Sequence, residues 1–234
     1  MKKFLVALPL VALVSACGGN GSNNGTAGTQ LKIARAVLAA KVPRYFPWQF
    51  GVDYDAIGRG SSQNLFTEQL DVRDLLRSQE ETKWVIVSTG MFMSFLFWPP
   101  FGVVSEDRQV VKALGNWENR VTVTTPKDIG VVTAEIVCAA PEVQGVVYTA
   151  GQTVSYRQIA NMMDIIFRVK VEREEWSVER LMADLAKDPE DSLTKYRIVF
   201  AMGRGVAWDE AKTFNHQRCM KLQGVEEWAR ENLL

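Results

Sequence analysis

The sequence predicts an α/β fold built on a parallel sheet, with a smaller α+β unit toward its carboxyl end. Three observations carry that expectation. Strand-like and helix-like stretches alternate from Gly28 to Ser88, the order that right-handed crossovers turn into parallel strands. Residues 83–88, KWVIVS, form a continuous apolar run, as expected of a strand buried on both faces. Most of the last third has helical spacing. At 234 residues, 47% apolar and 23% charged, the chain is long enough for one domain or for one with a smaller companion.

Composition excludes several function classes. The 27 basic and 27 acidic residues cancel, and Lys and Arg are scattered, so no footprint for a phosphate backbone is present and nucleic acid is not an expected partner. Cysteines stand only at 17, 138 and 219, too few and too far apart for a disulfide framework. The single His216 cannot build a metal site, and no metal is expected.

Residues 1–17, MKKFLVALPLVALVSAC, place two lysines before an apolar run from Phe4 to Val14, then Ser15-Ala16 and Cys17. That is the order of an export signal, too short to span a bilayer alone. It resembles a bacterial lipoprotein signal in which Cys17 would be lipidated, and GGNGSNNGTAG after it suits a flexible tether. The same residues also read as a residual buried strand ending in a Gly-rich loop. A third reading, a phosphate-binding turn at Gly18, Gly21 and Gly25, has the wrong offsets, because its last glycine position falls on Asn24.

From Gly28 to Lys41, Leu31, Ala34, Val37 and Leu38 recur at helical spacing with Thr29 as the expected cap. Arg44 to Phe46 is a short strand, followed by a long loop through Gly51, Gly58, Gly60 and Ser61-Ser62. Helix resumes near Asn64 through LFTEQLDVRDLLRSQ, and the strand KWVIVS leads to Thr89-Gly90. Carboxyl ends of strands in open sheets are where ligands bind, which makes Ser88, Thr89 and Gly90 candidate site residues. The apolar MFMSFLFWPPFG is too short for a membrane span and reads as a buried helix or pocket wall.

NRVTVTT (119–125) alternates like a strand, and Thr125-Pro126-Lys127-Asp128 opens a helix that ends before Pro141. Asp128 reads as a first-turn helix residue whose charge suits the helix N-terminus. VVYTAG, ending at Gly151, is the next strand, with a helix from Ser155 and a strand-like RVKVERE behind it. Helices SVERLMADLAK, LTKYRIVFAMG and VEEWARENLL complete the chain.

At RYFPWQFGVDYD the sequence resembles the NmrA-like family, atypical short-chain dehydrogenases that include isoflavone and phenylcoumaran benzylic ether reductases. The family loop R-F-x-P-S-E-F-G is similar to Arg44 through Gly51. EQLDVRDLLRSQ (68–79), WVIVSTGMF (84–92), VTVTTPKDIGVVTAEIV (121–137) and VVYTAGQTVSYRQIA (146–160) resemble the same family, so the likeness covers about residues 27 to 234. It implies a partial Rossmann-type NAD(P)-binding sheet. Residues 1–27 are then the signal-like segment and tether, or residual strand and loop; 28–115 the C-terminal half of the Rossmann-like domain; and 116–234 the substrate domain.

The resemblance implies that Phe46, Pro47, Phe50 and Gly51 border the nicotinamide with Ser88, Thr89 and Gly90; the less favoured reading is that the loop merely turns the chain after a strand. Trp48, Met91 and Phe92 would face substrate. The expected cofactor is NADP or NAD, bound weakly, because the family's first strand and its G-x-x-G-x-x-G turn are not legible in this sequence. Without that first βαβ unit the sheet is expected to have an open edge and marginal stability. The family's catalytic lysine lies in F-x-x-K-x-x-x-R; Phe66 and Arg73 match, and Gln69 stands at the lysine. Glutamine cannot act as a general acid, so no catalytic residue is assigned. The expected functions are an NADPH-dependent reductase of aromatic small molecules, a redox-sensing dinucleotide binder, or an inactive membrane-tethered lipoprotein fragment. A cytoplasmic address follows from the resemblance, and a membrane anchor from Cys17.

Overall fold

The computed structural model describes residues 5–6, 28–60 and 65–234. Cys17 and Gly18 to Gly25 lie outside the described residues, and so do Ser61, Ser62 and Asn64.

Strand β1 (Leu5–Val6) pairs parallel with β2 (Arg44–Phe46); for these two residues the structure takes the strand reading. Between them in sequence lies α1 (Thr29–Ala39). Its N-cap is Gly28 in the left-handed region, with no side-chain cap from that position, rather than the expected Thr29. The cap comes from elsewhere: the Glu68 carboxylate accepts from Gly28 N at 3.0 Å and Leu31 N at 3.1 Å. A carboxylate there meets both the unsatisfied amides and the positive end of the helix.

After β2, the short helix α2 (Tyr54–Ile57) interrupts the expected long loop, capped by Asp53. Helix α3 (Thr67–Arg77) begins three residues after the expected start. Strand β3 (Lys83–Ser88) pairs parallel with β2. Two-residue β4 (Met91–Phe92) and a 3-10 turn (Met93–Phe97) follow. The next strands are β5 (Val110–Leu114) and β6 (Arg120–Thr124). Helix α4 (Pro126–Cys138) has Thr125 as N-cap, accepting from Asp128 N.

The expected strand VVYTAG is β7 (Gly145–Tyr148), which stops at Tyr148, and a separate strand, β8 (Gln152–Ser155), follows Gly151. Helix α5 (Tyr156–Phe167) opens with a capping box in which Ser155 and Gln158 serve each other's backbone amides. Strand β9 (Glu172–Trp176) lies four residues beyond the start of RVKVERE. Helices α6 (Val178–Lys187), α7 (Ser192–Ala201), α8 (Phe214–Gln217) and α9 (Val225–Leu233) end the chain.

The order β1-β2-β3-β7 makes a parallel four-stranded sheet, completed by a strand from beyond residue 116. Alternation along its strands separates two cores. Tyr45 and Ile86 pack with Ala34, Val37, Val72 and Leu76 of α1 and α3. Phe46, Val85 and Val87 pack against Val132 and Ile136 of α4. The buried Arg44 guanidinium donates to the carbonyls of Ile136, Val137 and Val143, fixing the end of α4 to the sheet. A second sheet, β4-β6-β8, and the parallel pair β5-β9 build the rest around the largest core.

Candidate functional site

The loop after β2 folds back over the carboxyl end of β3. Pro47 O accepts from Gln49 N, which makes the tight turn. Gly51 then forms an isolated parallel bridge with Ser88, and its carbonyl accepts from Thr89 N at 2.9 Å and Gly90 N at 3.0 Å. Two glycines are required here by packing. A Cβ on Gly51 would lie 2.5 Å from the Tyr54 hydroxyl. Gly90 has φ 73° and lies so close to β6 that a Cβ would enter the Thr122 carbonyl.

These turns open a cavity of about 120 Å³ beside the carboxyl end of β3. Trp48, Phe50 and Gly51 come from the loop, Phe66 and Gln69 from the start of α3, and Gly90, Met91, Phe92 and Phe95 from the segment after β3. Phe101 and the α7 side chains Leu193, Tyr196 and Phe200 form the facing wall. Phe95, Phe101 and Phe200 meet edge to face, with centroids 6.0 and 5.9 Å apart. Among the described residues the wall contains no Asp, Glu, Lys, Arg, His or Cys.

A polar network runs through and behind this wall, beginning at Gln49 and Tyr54, which also line the cavity. Gln49 donates through Nε2 to Gln69 O at 2.9 Å and accepts through Oε1 from Arg73 Nε at 2.8 Å. Arg73 is fully buried; its NH1 donates to Asp55 at 2.6 Å, and its guanidinium lies over the Tyr54 ring. Arg77 completes a fork on Asp55. Hydrogen bonding from Arg77, with Arg73 beside it, outweighs partial burial and holds the Asp55 carboxyl down at about 2. Burial pushes the Tyr54 phenol up to about 12, against the pull of Arg73. Tyr148 donates to Asp53 at 2.7 Å; burial first, then that hydrogen bond, raises its phenol well above the usual range. None of these phenols exchanges a proton readily near neutral pH.

Of the residues expected at the site, Trp48, Phe50, Gly51, Gln69, Gly90, Met91 and Phe92 line the cavity together. Phe46, Pro47, Ser88 and Thr89 are buried and take no part in its wall. Phe46 belongs to the core under α4. Ser88 and Thr89 are fully enclosed, and Ser88 Oγ has no hydrogen-bond partner. Sequence reasoning missed the α7 wall. Leu193, Tyr196 and Phe200 stand at i, i+3 and i+7, a spacing that also describes any core-facing helix. His216 is an exposed helix-end residue. Among the described residues no cluster of metal-ligating side chains occurs, and no helix is long and apolar enough to cross a membrane.

The fold has close counterparts. An isoflavone reductase superposes with TM-score 0.72 at 17% identity, over 86% of this chain and 70% of that one. A structure solved with NADP+ and (+)-pinoresinol gives 0.69 at 15% identity, over 86% and 69%. An NADPH-dependent quinone oxidoreductase from Escherichia coli gives 0.63 at 16%, over 85% and 70%. An NmrA-like family domain-containing oxidoreductase from Gibberella moniliformis is 46% identical over 220 residues, 93% of this chain and 71% of the relative. The NmrA-like family model matches residues 14–229. By that match and by its identity to the fungal protein, the chain belongs to the NmrA-like family.

Proposed function

We propose that this chain is an NAD(P)H-dependent reductase that brings the nicotinamide ring and a small, neutral aromatic molecule face to face at the half-open cavity beside Phe50, Gly90 and Met91, one ring within it. The observation that carries the reading is an aromatic, uncharged cavity at the carboxyl edge of a parallel sheet, the place where such sheets take ligands. Its donor set suits an uncharged ring amide. Phe50 offers a flat apolar face, Met91 a flexible one, Gly51 and Gly90 surfaces without side chains, and Gln69 an amide.

When bound, a reduced nicotinamide supplies a hydride. The chain's own residues exclude water with Trp48, Phe92, Phe101 and Phe200, and orient a ligand oxygen through the Gln69 amide. Gln69 supplies no proton, since an amide does not titrate. An acceptor whose reduced anion is weakly basic, such as a quinone, needs no acid at that position, whereas a simple ketone does. A second reading, dinucleotide sensing without turnover, is favoured by the same Gln69.

NADPH oxidation followed with a quinone and with acetophenone separates them. The expected result is turnover with the quinone above the enzyme-free rate and at least about 100-fold less with the ketone, the usual contribution of a missing acid. Saturable NADPH binding with oxidation by neither would transfer the chain to the sensing class.

A further inference from the structure

The geometry points to Gln49 and Gln69 as a specificity-determining pair that keeps the cavity floor uncharged and admits aromatic ligands with a neutral oxygen while rejecting aromatic carboxylates. This rests on the reading that the cavity takes a small aromatic ligand. Gln49 and Gln69 are 2% and 8% exposed, and both line the cavity. The Gln49 amide is used at both ends: its oxygen holds Arg73 and its nitrogen holds the Gln69 carbonyl. The family patterns have glutamate at the first position and lysine at the second. Here both charges are replaced by amides, and the sum is unchanged.

The two neutral side chains suit each other, because the nearby carboxylates already have partners, while Arg73 Nη2 is buried without a hydrogen-bond partner. Asp55 is forked by Arg73 and Arg77, and Asp53 accepts from Tyr148 and lies 3.9 Å from Arg73. Arg73 itself is fully buried and is not part of the wall. A lysine at 69 would thus stand in an aromatic cavity with no anion beside it. A glutamate at 49 would keep Arg73 but lose the donor to the Gln69 carbonyl. A lone buried charge costs several kcal/mol, and a pair far less. By the same physics, a ligand carboxylate entering the present cavity finds no cation among the described residues of the wall, whereas a carbonyl finds the Gln69 amide.

The test is calorimetric titration of the full chain with acetophenone and with benzoate, compounds of similar size, in the absence of dinucleotide. Acetophenone is expected to bind at least tenfold more tightly than benzoate. Gln69→Lys should reverse the preference by at least tenfold, and Gln49→Glu combined with Gln69→Lys should restore the preference for acetophenone. If Gln69→Lys does not fold while the double variant does, that rescue is the expected coupling. Gln69→Met, neutral and similar in volume, should weaken acetophenone severalfold and still reject benzoate. Equal binding of both compounds by the native chain, binding of neither, admission of benzoate by the methionine variant, or a double variant that behaves like the lysine single variant would each overturn the proposal. Because no cofactor is present, a chain that shows this selectivity yet never oxidises NADPH loses the reductase reading and keeps this one.

Discussion

Arg73 is the side chain on which the geometry of the cavity depends most. It joins the Gln49 loop, the Asp55 helix and α3 without facing the ligand space. Arg73→Met should lower stability by about 3 kcal/mol in a urea melt, because it leaves a carboxylate and an amide underpartnered, and Arg77 still holding Asp55 keeps the loss from being larger. Asp55 also sets a pH window. Its folded pKa, about 2, lies below the ordinary 3.8, so its contribution to stability is complete above about pH 4 and is lost as pH falls toward 2. Asp55→Asn should flatten the stability–pH curve in that interval and leave its shape above pH 5 unchanged. Gly90→Ala combines a left-handed backbone with a collision against the Thr122 carbonyl, and should cost at least about 3 kcal/mol.

At the scale of elements, what the sequence discloses depends on whether an element's own pattern or a distant partner decides it. KWVIVS is recognisable because burial on both faces leaves an apolar run, and α5 because Ser155 and Gln158 form a local capping box. Removing that cap with Ser155→Ala should cost about 1 kcal/mol in thermal or urea unfolding. Strand β9 is the opposite case. Residues EREEW carry four charges in five positions, and they are a strand because they pair in parallel with β5, from Val110↔Glu172 to Leu114↔Trp176. Lys112, Arg180 and Arg197 gather around the Trp176 ring at 4.8 to 5.3 Å, contacts from three separate elements that no local window contains. The site divides in the same way. Its Phe50–Gly51 and Gly90–Phe92 edges follow legible strands, whereas the α7 wall and the trans cap from Glu68 arise from tertiary packing. Glu68, which the sequence shows only as part of the EQLDVRDLLRSQ stretch, caps a neighbouring helix.

At the scale of the molecule, the parallel sheet is covered by α1 and α3 on one face and α4 on the other. The cavity opens where its carboxyl edge meets the second sheet and α7. The central claim is that this cavity is where the nicotinamide ring and an aromatic molecule meet. A crystal structure of the chain grown with millimolar NADP+ tests it most directly, since that concentration populates even the weak site the sequence leads one to expect. The account predicts the nicotinamide ring in the cavity, in contact with Phe50, Gly90 and Met91. NADP+ bound with its ring elsewhere on the molecule and the cavity left free would contradict it.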